Sequence, residues 1–246
     1  MTGKTLASVL AVFTQFRRPA EAYRLLPDSD WATVMLPALL VVAICSYIPG
    51  LLVDWREVEN VLRKERLEWL TSEGMNAAEA DSLVSVELNG LKRIAESLPV
   101  ARLVDRVMVG VTAGLAAFGV AYAVEGKKVG ELRWYLSSSF LAQASYMLSA
   151  TAVILLLKMV GAPPGIRPNL SVLVPVGTAE PGMFRIFIYR LLENIDIPSV
   201  VSLSLWGTGL SAMMGRNRGW GTRLVFSIYL AGILVVSMPA LMTAGT

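Results

Sequence analysis

The chain has 246 residues, 54% of them hydrophobic and 17% charged, with a mean hydropathy of +0.57. Ordinary soluble domains carry about 25% charged residues, so this balance points to lipid as the solvent. A net charge of only +3, no histidine and one cysteine argue against nucleic acid as a partner and remove histidine acid–base, cysteine–histidine and the usual zinc, haem and iron–sulfur chemistry.

At the N-terminus Leu6, Val9, Leu10, Phe13 and Phe16 recur at helical spacing. They predict an amphipathic helix lying along the inner membrane surface, within a cytoplasmic segment 1–31. A cleavable signal peptide is the competing reading of Lys4 to Thr14, but Arg17-Arg18 follows directly and no small-residue cleavage site does. The first apolar span runs from Ala32 to Val53, and Cys45 within it reads as a packing residue.

Residues 54–102 read as an extramembrane helical hairpin. Trp55, Val58, Val61, Leu62, Trp69 and Leu70 mark the apolar side of the first arm, and Glu59 and Arg63 form an i, i+4 pair. Thr71 to Gly74 break the helix, and Asn76 supplies the cap of a second arm. Ala80, Leu83, Val84, Leu91, Ile94 and Leu98 follow at helical spacing until Pro99 ends the pattern. The hairpin either reaches a partner, through Trp55, Val58, Leu62, Trp69, Leu91 and Ile94, or folds onto its own spans.

The second span covers Leu103 to Val124 and the third Leu136 to Val160. Asp105, Arg106 and Lys158 stand near span ends, where long side chains reach the interface. Gln143, Ser145, Ser149 and Thr151 read as interhelical hydrogen-bonding positions. Gly161 to Pro168 holds three prolines and two glycines and reads as a rigid turn. An interfacial helix is predicted within 178–197, with an apolar stripe that includes Phe184, Phe187, Ile188 and Leu191, a second candidate partner surface.

Pro198 to Met214 forms a short fourth span rich in Ser and Gly, and Leu224 to about Ala240 the fifth. Gly110 and Gly114, and the row Gly207, Ser211 and Gly215, are small-residue steps that let helices approach closely. Ser137-Ser138-Ser139 lacks a base and a nucleophile elbow, and Gly215 to Gly219 lacks the ending of a phosphate-binding loop. Neither the sequence nor its motifs call for a catalytic residue, a metal or a cofactor.

Positive charge sets the orientation. Lys4, Arg17, Arg18 and Arg24, then Lys127, Lys128 and Arg133, then Arg216, Arg218 and Arg223 fall on alternate connections. They place the N-terminus in the cytoplasm and the C-terminus outside.

The entry segment Phe16-Arg17-Arg18-Pro19-Ala20-Glu21-Ala22-Tyr23, with Trp31 and the first span behind it, resembles the N-terminal signature of bacterial Yip-family membrane proteins. The stretch from Leu192 through Asp196, Trp206, Gly207 and Gly209 to Gly215 and Arg218 is similar to that family's acidic residue, short span with tryptophan, small-residue step and basic turn. The resemblance implies one Yip-type domain over 1–246, all-α and polytopic, with five transmembrane helices, in the bacterial inner membrane. Eukaryotic members bind Rab GTPases through cytosolic N-terminal regions, and the roughly 30 residues before the first span are too few for such a region. For a bacterial member the resemblance implies a non-catalytic accessory or assembly subunit that binds lipid and other membrane subunits, an ABC-type exporter among them. The alternatives are an autonomous transporter of small molecules or lipids, and a lipid-organising scaffold.

Overall fold

The computed structural model describes residues 3–51, 55–161, 169–173 and 183–238, without the side chains of 3–9, 55, 57–58, 127–128, 172–173, 183–184 and 218. Nine α-helices account for most of it: α1 (Gly3–Arg17), α2 (Pro19–Arg24), α3 (Trp31–Leu51), α4 (Trp55–Ser72), α5 (Ala77–Glu125), α6 (Leu132–Met159), α7 (Met183–Glu193), α8 (Ile197–Met213) and α9 (Arg218–Ser237). Short 3-10 turns occupy Gly126–Val129 and Leu170–Leu173. Among the described residues there is no β-strand, only an isolated bridge between Asn169 and Asp196.

Among the described residues four helices are long and apolar enough to cross a membrane: Trp31–Leu51, Ala77–Glu125, Leu132–Met159 and Gly219–Ser237. Their backbone groups bond within the helix, as a hydrocarbon solvent demands. The expected fourth span, α8, is apolar but has 17 residues, about 25 Å at 1.5 Å per residue against the ~30 Å of a hydrocarbon core. Asp196 caps it by accepting from the Ser199 N–H at 2.7 Å, and Pro198 stands in its first turn, where no N–H is needed. The expected ends at Val53 and Ala240, the turn 162–168 and the start of the interfacial segment before Met183 lie outside the described residues.

The chain divides into two compact units: 1–42 with 106–246, and 43–105. In the first, α6, α8 and α9 pack together, and α2 lies against α8 while α1 lies on α2 and α6. The α8–α9 crossing is set by small residues. A Cβ on Gly207 would come within 2.5 Å of the Thr222 Cα, and one on Gly221 within 2.2 Å of the Gly207 carbonyl oxygen. Ser211 closes the crossing, accepting from the Gly221 N–H at 2.8 Å and donating to the Gly207 carbonyl at 3.0 Å.

The N-terminal helix corrects the expectation of a helix resting only on the membrane surface. Ala11, Val12 and Gln15 of α1 are buried, while Leu10, Phe13 and Phe16 of the predicted stripe stay exposed. Gln15 is the reason: its Nε2 donates to the carbonyls of Val12 (2.9 Å) and Leu141 of α6 (3.2 Å), and Tyr23 donates to its Oε1. An amide satisfied on both sides can be buried without an unpaired group.

In the second unit α4 and the start of α5 form a helical pair. Gly74, at φ +88°, makes the turn, and the Ala78 N–H donates to the Asn76 side chain at 3.1 Å. Leu70, Ala80 and Val84 form the seam, with Leu67 and Leu88 against it. Arg66 grips Glu87 with two hydrogen bonds of 3.0 and 3.1 Å. Arg63 reaches across to Asp81 and Ser85, each at 3.1 Å, a partnership between helices that an i, i+4 reading of Glu59 and Arg63 misses.

Pro99 does not end the second arm. α5 runs through it for 49 residues, so arm and second span are one helix. Proline removes a single N–H and crowds the carbonyl four residues back, a local cost that intact turns on both sides outweigh.

Candidate functional site

The described residues of the first unit form a partly open cavity of about 120 Å³ between α5, α6, α8 and α9. Arg106 enters it from α5, and its guanidinium carbon sits 4.4 Å from the centroid of the Tyr146 ring on α6. This is an attractive cation–π geometry. The Tyr146 hydroxyl donates to Asp196 Oδ2 at 3.3 Å, while Oδ1 of the same carboxylate caps α8. The chain Arg106–Tyr146–Asp196 thus joins a cation to an anion through an aromatic ring. Arg106 does not simply run to the interface, as its place near a span end suggested; it lines an internal wall that offers an aromatic face and oxygen atoms.

The remaining polar groups show a consistent bias. Ser202 donates to the Ala142 carbonyl at 2.7 Å, Tyr229 donates to the Asn194 carbonyl, and Trp206 Nε1 donates to Ser138 at 2.9 Å. Those protons are spent on the protein, and the oxygens are used as well: Ser145 donates to Ser202 at 3.5 Å, Ser199 donates to Tyr229, and Ser138 receives the Trp206 proton. Gln143 Oε1, on the same wall, is buried and accepts no hydrogen bond from the described residues. Among the described residues no three His, Cys, Asp or Glu side chains gather as a metal site.

The residues singled out from sequence fall in several places. On the α4–α5 pair Leu62, Trp69, Leu91 and Ile94 are exposed, with Arg66 stacked 4.4 Å over the Trp69 ring. The side chains of Trp55, Val58 and Phe184 lie outside the description. Phe187, Ile188 and Leu191 are half-buried on α7, which rests on the Leu170–Leu173 turn and on α9.

Gly110 and Gly114 face α6: a Cβ would stand 3.2 Å from Phe140 and 2.9 Å from the Ser139 hydroxyl, and that hydroxyl donates to the Gly110 carbonyl at 2.7 Å. Gly207 and Ser211 meet α9. Gly215, read as the third member of that row, is no close approach, since a Cβ there would meet nothing within 4 Å; at φ +62° it ends α8, with the Arg216 N–H returning to the Ser211 carbonyl at 2.8 Å.

Gly209 and Gly221, neither of them among the small-residue steps read from the sequence, also sit at close approaches. The Gly207-Thr208-Gly209 and Gly219-Trp220-Gly221 pairs were the available signal, since glycines two apart in a helix face different neighbours. Comparison of the chain with protein-family models, curated proteins and solved structures finds no match.

Proposed function

We propose that this chain is a non-catalytic accessory subunit of the bacterial inner membrane, a Yip-type protein that crosses the bilayer five times and holds a partner through its α4–α5 hairpin. The observation that carries the reading is the apolar surplus of that hairpin. Among the described residues its seam is formed by Leu67, Leu70, Ala80, Val84 and Leu88. Leu62, Trp69, Leu83, Val86, Leu91 and Ile94 remain exposed on a pair otherwise rich in Arg, Lys, Glu and Asp. Charges at that density keep the hairpin out of hydrocarbon, so its apolar face calls for protein rather than lipid.

The α8 helix is the fourth of the five crossings, shortened but capped, and the positive connections keep the N-terminus in the cytoplasm and the hairpin outside. A partner of the ABC-exporter type fits a chain without a nucleotide-binding motif of its own. The size of the cavity argues against the rival reading, an autonomous transporter: about 120 Å³ is well below the ~300–1,000 Å³ of sites for drug-sized molecules.

The test is co-purification from native membranes in mild detergent, with mass spectrometry of what is retained. A stoichiometric permease or ATPase should accompany the wild type and be lost from the quadruple variant L62S/W69S/L91S/I94S, while the variant keeps its helix content. Retention of the partner by a folded variant removes the hairpin from the reading. A wild type that purifies alone removes the accessory role itself.

A further inference from the structure

Residues 1–31, 125–133 and 215–223 carry ten basic and five acidic side chains, and the first unit gathers these segments at one end. The ion pair of Arg216 with Glu125 ties the connection after α8 to the end of α5. Tyr23 lies on Gly209, while the opposite face of α8 meets Gly221 and Thr222 through Gly207 and Ser211. Arg24 and Arg223, each one residue further along, therefore flank the last two turns of α8 at one level.

The arginines at this end are of two kinds. Arg18, Arg133 and Arg216 are held by Glu21, Glu131 and Glu125. Arg17, Arg24 and Arg223 are exposed and have no partner among the described residues. Around Arg17 and Arg24 the surface is apolar, with Leu10, Phe13, Phe16, Leu25 and Trp31 between 41% and 58% exposed. These side chains face outward because Val12, Gln15 and Tyr23 of the same helices are committed to the bundle. Water suits the arginines and not the apolar groups; hydrocarbon suits the reverse. The layer of phosphate and glycerol at a bilayer surface suits both, and α6 begins and α8 stops at this end. A guanidinium fork matches phosphate oxygens, and an acidic lipid leaves its negative charge uncompensated for that contact.

We propose that Arg24 and Arg223 hold the phosphates of acidic phospholipids on either side of α8, with α1, α2 and Trp31 seated among the acyl chains. This surface needs a bilayer around α6 and α9 and no protein on the α4–α5 hairpin, so it stands or falls apart from the accessory role.

Native mass spectrometry of the full chain with equimolar phosphatidylglycerol and phosphatidylcholine of matched acyl chains reads the preference. Wild type should favour phosphatidylglycerol. Arg24→Gln and Arg223→Gln should each reduce that preference about fivefold, the scale of one cation at an anionic surface. The double variant should lose about 25-fold, because sites on opposite faces of one helix act independently. Arg24→Lys should keep most of the preference. Arg133→Gln removes the same charge from the same end, but from an arginine that Glu131 already holds, and should stay within about twofold of wild type. Equal thermal midpoints in phosphatidylcholine nanodiscs show that the variants are folded.

If Arg133→Gln costs as much as Arg24→Gln, net charge alone attracts the lipid and the proposal falls. Full wild-type preference in either Arg24→Gln or Arg223→Gln also overturns it. Equal retention of the two lipids by wild type overturns it as well, and assigns this basic and apolar surface to a protein partner instead.

Discussion

The ring of Tyr23 occupies the space that a side chain on Gly209 would need: a Cβ there would lie 2.3–2.5 Å from three ring carbons. Tyr23 is fully buried, and burial pushes its phenol far above the ordinary tyrosine value, so it stays neutral at every physiological pH. The α2–α8 contact is therefore a ring laid on bare backbone, and its stability depends on one absent methyl group.

Replacing that glycine should be costly out of proportion to its size. Gly209→Ala is expected to destabilise by about 1–3 kcal/mol or more, because backbone on one side and a wedged ring on the other leave little room to relax. Gly119→Ala, at a helical position with nothing within 4 Å, should be neutral or stabilising by about 0.5–1 kcal/mol. Thermal unfolding of both variants in one detergent checks the contrast, and equal effects would mean that α2 does not dock on α8.

Gln15 and Tyr23 should behave as one unit. Tyr23→Phe leaves the Gln15 Oε1 without its donor, while Gln15→Leu frees the Tyr23 hydroxyl and abandons the Leu141 carbonyl. A double-mutant cycle should give a coupling of about 0.5–3 kcal/mol, the range for residues sharing a buried network. Additive single effects would show that the two side chains do not meet.

Much of this architecture is legible in the sequence where the cause is local. Hydropathy finds α3, α6 and α9 because lipid reads length and apolarity alone. Gly74 and Asn76 announce the turn of the helical pair because a left-handed residue and a side-chain cap are short-range requirements. Pro99 misleads for the same reason: its signal is local, and an uninterrupted helix on either side overrides it. Arg106, Tyr146 and Asp196 are far apart along the chain, so no spacing rule assembles them. Gly209 is indistinguishable from other helical glycines until Tyr23 is laid against it.

Asp196 has two duties that separate by substitution. Its Oδ1 caps α8 and its Oδ2 holds the Tyr146 hydroxyl. Asp196→Ala should lose both, costing about 0.5–2 kcal/mol from the cap alone. Asp196→Asn keeps an acceptor for the Ser199 N–H and so should retain most of the stability while removing the charge behind Tyr146. Thermal unfolding of the two variants ranks them, and an asparagine variant as unstable as the alanine one would show that charge, not capping, dominates at this position.

The Arg66–Glu87 pair makes the helical pair sensitive to acid. The two hydrogen bonds from Arg66, reinforced by its charge, hold the Glu87 carboxyl below the ordinary glutamate range, while Glu87 raises an arginine that is already always protonated. Glu87 therefore binds a proton less readily when folded than when unfolded. The sign follows: its contribution is fully present above the ordinary glutamate value of about 4.3 and is lost as the pH falls through the depressed one. Both side chains are partly exposed, so the effect is modest and weakens with salt. Hydrogen-exchange protection factors of the α4 amides in the intact protein should decline in wild type as the pH is lowered from about 5 to about 3. Glu87→Gln should start from lower protection at the higher pH and show a smaller decline, because it has no proton to take up at that site. If wild type and variant decline in parallel, other carboxylates control the acid response and Arg66 does not anchor the pair.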